Sequence, residues 1–219
     1  VLGFALPVLI LISNALHTLQ DTLTWRFVEI VMNSLTVAVL AAALCMGLGL
    51  FLAYAVRLGG GRILRGAVRF AGVGYAVPGV VLAIGILVPA AGFDNWVDGV
   101  MRKGFGISTG LLISGTVAAL VLAYAVRFLA LALGTMEAGL ARITPSMDQA
   151  ARSLGQGKAS TLARVHAPLL RTSLLTGAVL VFVDAMKELP MTLVLRPFNF
   201  ETLATHAYEY ASLEMLEES

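Results

Sequence analysis

The chain has 219 residues, of which 58% are hydrophobic and 13% are charged, and its formal net charge is +2. Because soluble domains carry about 25% charged residues, this composition excludes an ordinary soluble domain and predicts an all-α, polytopic membrane bundle. The small net charge gives no footprint for nucleic acid. The single cysteine, Cys45, lies in an apolar run and offers neither a disulfide nor a metal site.

Five apolar stretches are interpreted as membrane spans. They are the segments 1–16, 31–56, 70–90, 107–133 and 169–195. The first is shorter than the roughly 20 residues that a crossing needs, so it is interpreted as a span without its start. Pro78 and Gly79 are expected to kink the third span. Arg127, near the end of the fourth, is expected to reach back towards the nearby membrane surface.

The charges of the polar intervals alternate along the chain. Segment 57–69 carries four arginines and no acidic residue, and segment 134–171 carries five basic residues against two acidic ones. Segments 17–29 and 93–106 are close to neutral, and the tail, 196–219, has one arginine against five glutamates. Because basic loops face the cytoplasm, 57–69 and 134–171 are predicted to be cytoplasmic loops and the tail to lie outside.

An odd number of spans that ends outside predicts that a final, inward span is missing. The chain is therefore interpreted as one transmembrane domain, 1–219, that is incomplete at both ends, with a cytoplasmic loop at 134–171 inside it.

The 134–171 interval has the pattern of a folded element. Thr144-Pro145-Ser146 predicts the start of a helix, and Gly155 and Gly157 predict its end. Its apolar residues at helical spacing, which predict one apolar face, are Met147, Ala150, Ala151 and Leu154. Pro168 is expected to begin the next membrane helix.

The same interval resembles the EAA loop of ABC importer permeases. Gln149-Ala150-Ala151 is followed after three residues by Gly155, after nine more by Val165, and then by Ala167-Pro168. This is the family spacing of Glu-Ala-Ala, Gly, Ile and Leu-Pro, although Gln149 replaces a charged glutamate. The resemblance implies that a short helix docks on an ATPase subunit dimer. The coupling residues it implies are Met147, Asp148, Gln149, Ala150, Ala151, Arg152, Leu154, Gly155 and Pro168.

The segment 187–212 is similar to the C-terminal half of the two-part permeases of ferric-iron ABC importers. The similarity lies in the strings KELP, LRPFNF, TLAT and YEYAS. It implies a type I permease in a bacterial inner membrane, with about five spans present and a sixth missing. It also implies a second permease half, fused or homologous, and a periplasmic binding protein that delivers ferric iron. No cofactor is expected on this chain, with ATP and magnesium on the partner ATPase.

Three ionisable residues, Asp184, Lys187 and Glu188, lie in the last apolar stretch and are spaced to share one helix face. They are predicted either to line or gate a pathway or to orient the helix against a partner. Pro190 is expected to break the helix just beyond them. The alternative function is an ion-coupled secondary transporter or channel that uses this group as a relay.

An intramembrane enzyme is a weaker hypothesis. The sequence has no His-Glu-x-x-His, Gly-x-Ser-x-Gly, Walker loop or paired cysteines. His17, His166 and His206 lie far apart and predict no metal site. The hexapeptide LAYAVR occurs at Leu52–Arg57 and at Leu122–Arg127, and both copies are predicted to end a helix on the same side.

Overall fold

The computed structural model describes residues 24–213 and six positions before them, 3, 5, 6, 8, 9 and 12. The described part of the chain is helical and contains no β-strand, which confirms the predicted all-α bundle. Most of the first predicted span, 1–16, and His17 lie outside the described residues.

Residues 24–213 contain eight α-helices, which are labelled here in chain order. They are α1 (Trp25–Arg57), α2 (Arg62–Ala71), α3 (Gly79–Phe105), α4 (Val117–Ala141), α5 (Pro145–Ser153), α6 (Lys158–Met186), α7 (Pro190–Leu195) and α8 (Leu203–Ser212). A 3₁₀ turn, Gly72–Ala76, follows α2. Helices α1, α3, α4 and α6 are long and apolar enough to cross a membrane.

Small residues let α1 and α4 pack closely, and this is the most extensive helix pair in the bundle. A Cβ added at Gly49 of α1 would lie 2.9 Å from the Cβ of Ala132 of α4. Fully buried alanines line both helices, including Ala41 and Ala123. The buried thiol of Cys45 lies 3.7 Å from the carbonyl oxygen of Ala125, so this cysteine is part of the same packing.

The predictions for 57–69 and 70–90 are both wrong in detail. Residues 57–69 are mostly helix α2 rather than a loop, because only Gly59, at φ +96°, turns the chain after α1. Residues 70–90 contain a complete break at 77–78 rather than a kink within one span. Val77 is extended, as residues before proline prefer, and α3 starts afresh at Gly79.

Helix α3 runs past Pro89 to Phe105, so the predicted loop at 93–106 is wrong. The helix ends at Gly106, whose φ of +69° suits glycine. Asp94 is fully buried and accepts hydrogen bonds from the backbone N–H groups of Ile113 and Ser114. This carboxylate therefore fixes the irregular segment between α3 and α4 rather than only balancing a nearby charge.

The later elements are also shifted relative to the prediction. Arg127 lies in the middle of α4 rather than near its end, because the helix continues to Ala141. The predicted span 169–195 is α6 followed by a break, and Pro190 begins α7 instead of only ending a helix. The tail contains α8, whose N–H at Leu203 donates to the hydroxyl of Ser34 on α1 at 2.7 Å.

Candidate functional site

Helix α5 forms where the sequence predicts it. Thr144 is the N-cap and Pro145 occupies the first turn, where its missing N–H costs nothing. After Ser153 the chain turns at Gly155, whose φ is +73°. The N–H groups of Gly155 and Gln156 donate to the carbonyls of Arg152 and Ala151, which is the Schellman pattern of helix termination.

The predicted apolar face of α5 is divided between the protein interior and the surface. Ala151 is buried, whereas Ala150 is exposed and the Met147 and Leu154 side chains are 41% and 80% exposed. Gln149 and Arg152 are exposed as well. The helix therefore presents an apolar stripe of Met147, Ala150 and Leu154, and its opposite side faces the bundle.

Four residues, here called the loop cluster, attach that inner side to the bundle: Tyr54, Arg57, Asp148 and His166. The guanidinium of Arg57 donates to Asp148 Oδ2 at 2.8 Å. It also donates to the carbonyl oxygens of Leu140 and Ile143, at 2.7 and 2.9 Å. The end of α1 therefore binds both the last turn of α4 and the first turn of α5.

The other two members extend the loop cluster to α6. His166 Nε2 lies 2.8 Å from Asp148 Oδ1, and the imidazole is completely buried. The ring of Tyr54 meets it edge-on, with 5.3 Å between centroids, and the Tyr54 hydroxyl donates to the carbonyl oxygen of Lys158 at 2.9 Å. One carboxylate thus connects α1, α5 and α6.

Sequence reasoning missed Arg57 and His166 as functional candidates. Arg57 was one of four similar arginines, and His166 stands alone in the sequence. The available signal was their position. Arg57 lies two residues before the glycines that follow α1, and His166 lies two residues before Pro168, at the base of the next span.

Pro168 lies in the first turn of the α-helical segment Ala167–Met186, as predicted, but α6 as a whole starts ten residues earlier at Lys158. Proline has no N–H to donate and its ring crowds the carbonyl four residues back. The helix widens to a π turn at Leu162–His166, just before the proline, and the N–H of Ala167 donates to the Leu162 carbonyl. Such π turns are frequent at functional positions, and this one holds His166.

The three predicted intramembrane charges do not share one face, because α6 ends at Met186. Lys187 pairs with Asp184 at 2.7 Å and its side chain is 70% exposed. The hydroxyl of Tyr75 donates to the other oxygen of Asp184 at 3.1 Å. Glu188 lies beyond the helix end, points into the bundle and is buried.

Glu188 belongs to a second group, here called the junction cluster: Tyr124, Arg127, Glu188 and Thr192. Glu188 Oε2 lies 3.5 Å from Arg127 Nε, and Arg127 also donates to the carbonyl oxygen of Val77 at 2.8 Å. The hydroxyl of Tyr124 donates to the Glu188 carbonyl oxygen at 3.3 Å and contacts Thr192. Two helix breaks, at 77–79 and at 187–189, therefore meet at one arginine of α4.

The two breaks approach each other closely at Gly79, where any added side chain would displace Glu188. A Cβ there would lie 2.8 Å from Glu188 Oε1 and 3.4 Å from a terminal nitrogen of Arg127. Pro190 lies in the first turn of α7. An N–H at this position would have no partner within the helix, so its absence in proline costs no hydrogen bond. Among the described residues no group of three or more His, Cys, Asp or Glu is arranged to hold a metal ion.

Comparisons with known proteins give one family and one curated relative. Residues 45–215 match the family model described as binding-protein-dependent transport system inner membrane component. The Fe(3+)-transport system permease protein FbpB 2 of Haemophilus influenzae is 25% identical over 138 residues. That match covers 63% of this chain and 24% of the relative, so the chain spans about a quarter of the relative's length.

Proposed function

The chain belongs to the binding-protein-dependent transport system inner membrane components, and from this premise we propose that it couples ATP hydrolysis on a partner ATPase to the import of ferric iron. It is an integral membrane permease component rather than an enzyme. Ferric iron is supported by the 25% identical Fe(3+)-transport relative and by the resemblance of segment 187–212 to ferric-iron permeases.

The observation that carries the proposal is the two-sided character of α5. Its outer stripe, Met147, Ala150 and Leu154, is exposed and apolar, and its inner side is attached through Asp148 to the ends of α1 and α6. An amphipathic helix of this kind fits a hydrophobic groove on a protein partner. In this proposal the partner is the ATPase dimer, and residues 57–69 and 134–171 belong to the cytoplasmic half of the bundle.

The loop cluster supplies the mechanical connection in this mechanism. When the ATPase subunits close, they displace α5, and the Asp148 contacts carry that displacement to α1 and α6 as a rigid-body movement. Gln149 lacks the charge that the family usually presents, so the apolar stripe and the turn at Gly155 make the principal contact. Arg142, Arg152 and Arg164 add salt-sensitive attraction at the rim.

The junction cluster is the proposed gate. Broken helices near the middle of a membrane commonly form the sites at which transporters open and close. Here the two breaks are held together by the Arg127–Glu188 pair, with Asp184, Lys187 and Pro190 beside them. Solute delivered by a periplasmic binding protein passes when this contact separates, and a second permease half completes the pathway.

Within residues 24–213, no structural observation favours the ion-coupled alternative. Asp184 and Glu188 are each paired with a cation, Lys187 and Arg127 respectively, so each carboxylate has a structural partner. Ferric uptake that persists in ATP-depleted vesicles with an imposed ion gradient would nevertheless favour it.

Docking is tested by replacing one exposed apolar residue on α5. We expect Leu154→Asp to lose co-purification of the ATPase subunit and to lower iron uptake at least tenfold, because a carboxylate would be buried in an apolar contact. The matched control is Phe198→Asp, which changes a fully exposed apolar side chain far from α5 in the sequence. Retention of the ATPase by the Leu154 variant would refute the docking role of α5.

A further inference from the structure

Three arginines of α2 lie on one face of that helix. Arg62, Arg65 and Arg69 are spaced by three and four residues, so their side chains project in similar directions. All three are exposed, whereas Val68 of the same helix is buried. Two apolar residues on a neighbouring face, Ile63 and Phe70, are 91% and 78% exposed.

Contacts at both ends of α2 place it inside the membrane rather than along its surface. Arg57, the last residue of α1, binds the carbonyl of Leu140, and the N–H of Gly60, two residues before α2, donates to the Val56 carbonyl at the same end of α1. Gly74, three residues after α2, packs against the carbonyl of Val126. Leu140 and Val126 are 14 residues apart on α4, which is about 21 Å. The 13 residues from Gly61 to Gly74 span about the same distance only if α2 runs nearly parallel to α4.

The depth of the arginines follows from this direction. Helix α4 has 25 residues and is therefore about 37 Å long, against a hydrocarbon core of about 30 Å. Leu140 then lies near one face of the core and Val126 near its middle. Arg69, eight residues beyond Gly61, lies about 12 Å along this path, well inside the core.

Charged side chains at such depth face water or protein rather than lipid. Within residues 24–213 no ion pair involves Arg62, Arg65 or Arg69. The Arg65 Nε donates to the carbonyl of Gly60 at 3.0 Å, which uses one of its five N–H groups. Their exposed faces therefore meet water or a partner chain rather than lipid. Beyond α2, the hydroxyl of Tyr75 donates to Asp184.

We propose that Arg62, Arg65 and Arg69 line the water-filled inner part of the transport pathway and make it selective for anions. This inference rests on the proposed transport function and specifies its cargo class. These three guanidinium groups, which have no carboxylate partner within residues 24–213, concentrate anions and repel bare cations. Ferric iron consequently passes this segment as an anionic complex with its ligands and not as a free Fe³⁺ ion.

The test measures whether water and anions reach Arg69. Arg69→Cys is introduced into the complete transporter, and inverted membrane vesicles are treated with an anionic sulfonatoethyl or a cationic trimethylammonioethyl methanethiosulfonate. We expect the cysteine to react, with an anionic-to-cationic rate ratio at least fivefold above that of free mercaptoethanol. The unmodified chain gives the background, because its one cysteine, Cys45, is buried.

Two further variants make the result specific. Phe70→Cys, on the neighbouring apolar face, is expected to react at least tenfold more slowly with both reagents because it faces lipid. Arg62→Gln combined with Arg65→Gln, in the Arg69→Cys background, is expected to bring the rate ratio back towards the mercaptoethanol value. Arg65→Cys repeats the measurement at a second position and serves if Arg69→Cys does not assemble.

Two outcomes would overturn the inference. If neither Arg69→Cys nor Arg65→Cys reacts, the arginine face is covered by lipid or by the second permease half. If they react with the ratio of the free thiol, the pathway is wet but does not select anions. Neither result depends on the ATPase, so a failure of coupling, measured separately as stimulated ATP hydrolysis, remains distinguishable.

Discussion

The hexapeptide LAYAVR occurs twice in this chain, and its two copies bind different parts of the molecule. In the first copy Tyr54 and Arg57 bind α5, α6 and the end of α4. In the second copy Tyr124 and Arg127 bind the two helix breaks in the middle of the bundle. Each copy uses a tyrosine and an arginine three residues later to hold irregular backbone and one carboxylate.

The difference arises outside the hexapeptide. Leu58-Gly59-Gly60 ends α1 directly after Arg57, whereas Phe128 and the apolar residues after it continue α4 to Ala141. The same six residues therefore lie at a helix end in one copy and at the middle of a span in the other. The local sequence provides the two binding side chains, and the flanking sequence decides what they bind.

The largest effect is expected at Arg127. Replacement by Met leaves the buried carboxylate of Glu188 without its cation, which costs about 3 kcal/mol or more, and also frees the Val77 carbonyl. We expect strongly reduced yield of assembled transporter and loss of iron uptake. Thermal unfolding of the purified transporter in lipid nanodiscs measures the change in stability.

Arg127→Met combined with Glu188→Gln is the matched control, since it removes the unpaired charge. It should recover part of the lost stability without recovering transport. If the double variant is no more stable than the single one, the Arg127–Glu188 pair is not what holds the two breaks together.

At the loop cluster the expected loss is in coupling more than in stability. The Arg57–Asp148 pair is only partly buried, so Asp148→Asn is expected to cost about 1–2 kcal/mol. We expect the variant to assemble and hydrolyse ATP but to import several-fold less iron per ATP, because α5 is less firmly attached to α1 and α6. Iron uptake and phosphate release measured on the same proteoliposomes give this ratio.

Arg102→Gln is a suitable control because it breaks an exposed pair with Asp98 on α3, and such pairs contribute little. An Asp148→Asn transporter with an unchanged ratio of iron to ATP would contradict the role of the loop cluster.

A smaller effect is expected at the turn after α5. Gly155 has a φ of +73° and open space around it, so Gly155→Ala is opposed by backbone strain of about 1 kcal/mol and not by a clash. We expect a two- to threefold loss of coupled uptake, with partial recovery in Gly155→Asn because asparagine tolerates this conformation. Gly157→Ala is the control, since Gly157 has an ordinary φ of −74°. Equal uptake by the Gly155→Ala and Gly157→Ala variants would argue against the turn.

Local sequence signals predicted the membrane bundle and helix α5. Composition predicted the membrane bundle, and Thr144-Pro145 with Gly155 predicted α5 to within a residue at each end. Periodicity could not show that α3 runs past Pro89, because a proline inside a helix looks like an end. Periodicity also could not show that Glu188 lies apart from Asp184 and Lys187. Their spacing places them on one face only if all three belong to the same helix, and α6 ends at Met186.

The contacts of the two clusters were beyond sequence reasoning because their partners are distant along the chain. Arg57 binds Asp148, 91 residues away, and Arg127 binds the Val77 carbonyl, 50 residues away. Identical hexapeptides predicted identical positions at helix ends, and this was wrong for the second copy. A helix end depends on the residues that follow it, and here those residues differ.

The smallest effects should come from the two tyrosines, and they compare the copies most directly. Tyr124→Phe removes a buried hydroxyl, but Thr192 still donates to the Glu188 carbonyl, so the expected cost is about 1 kcal/mol. Tyr54→Phe removes a single bond to Lys158 at the base of α6, and should cost about 0.5 kcal/mol. We expect Tyr124→Phe to lower the unfolding temperature with unchanged iron per ATP, and Tyr54→Phe to lower iron per ATP with nearly unchanged unfolding. If both variants change the same quantity, the junction cluster does not serve mainly stability while the loop cluster serves mainly coupling.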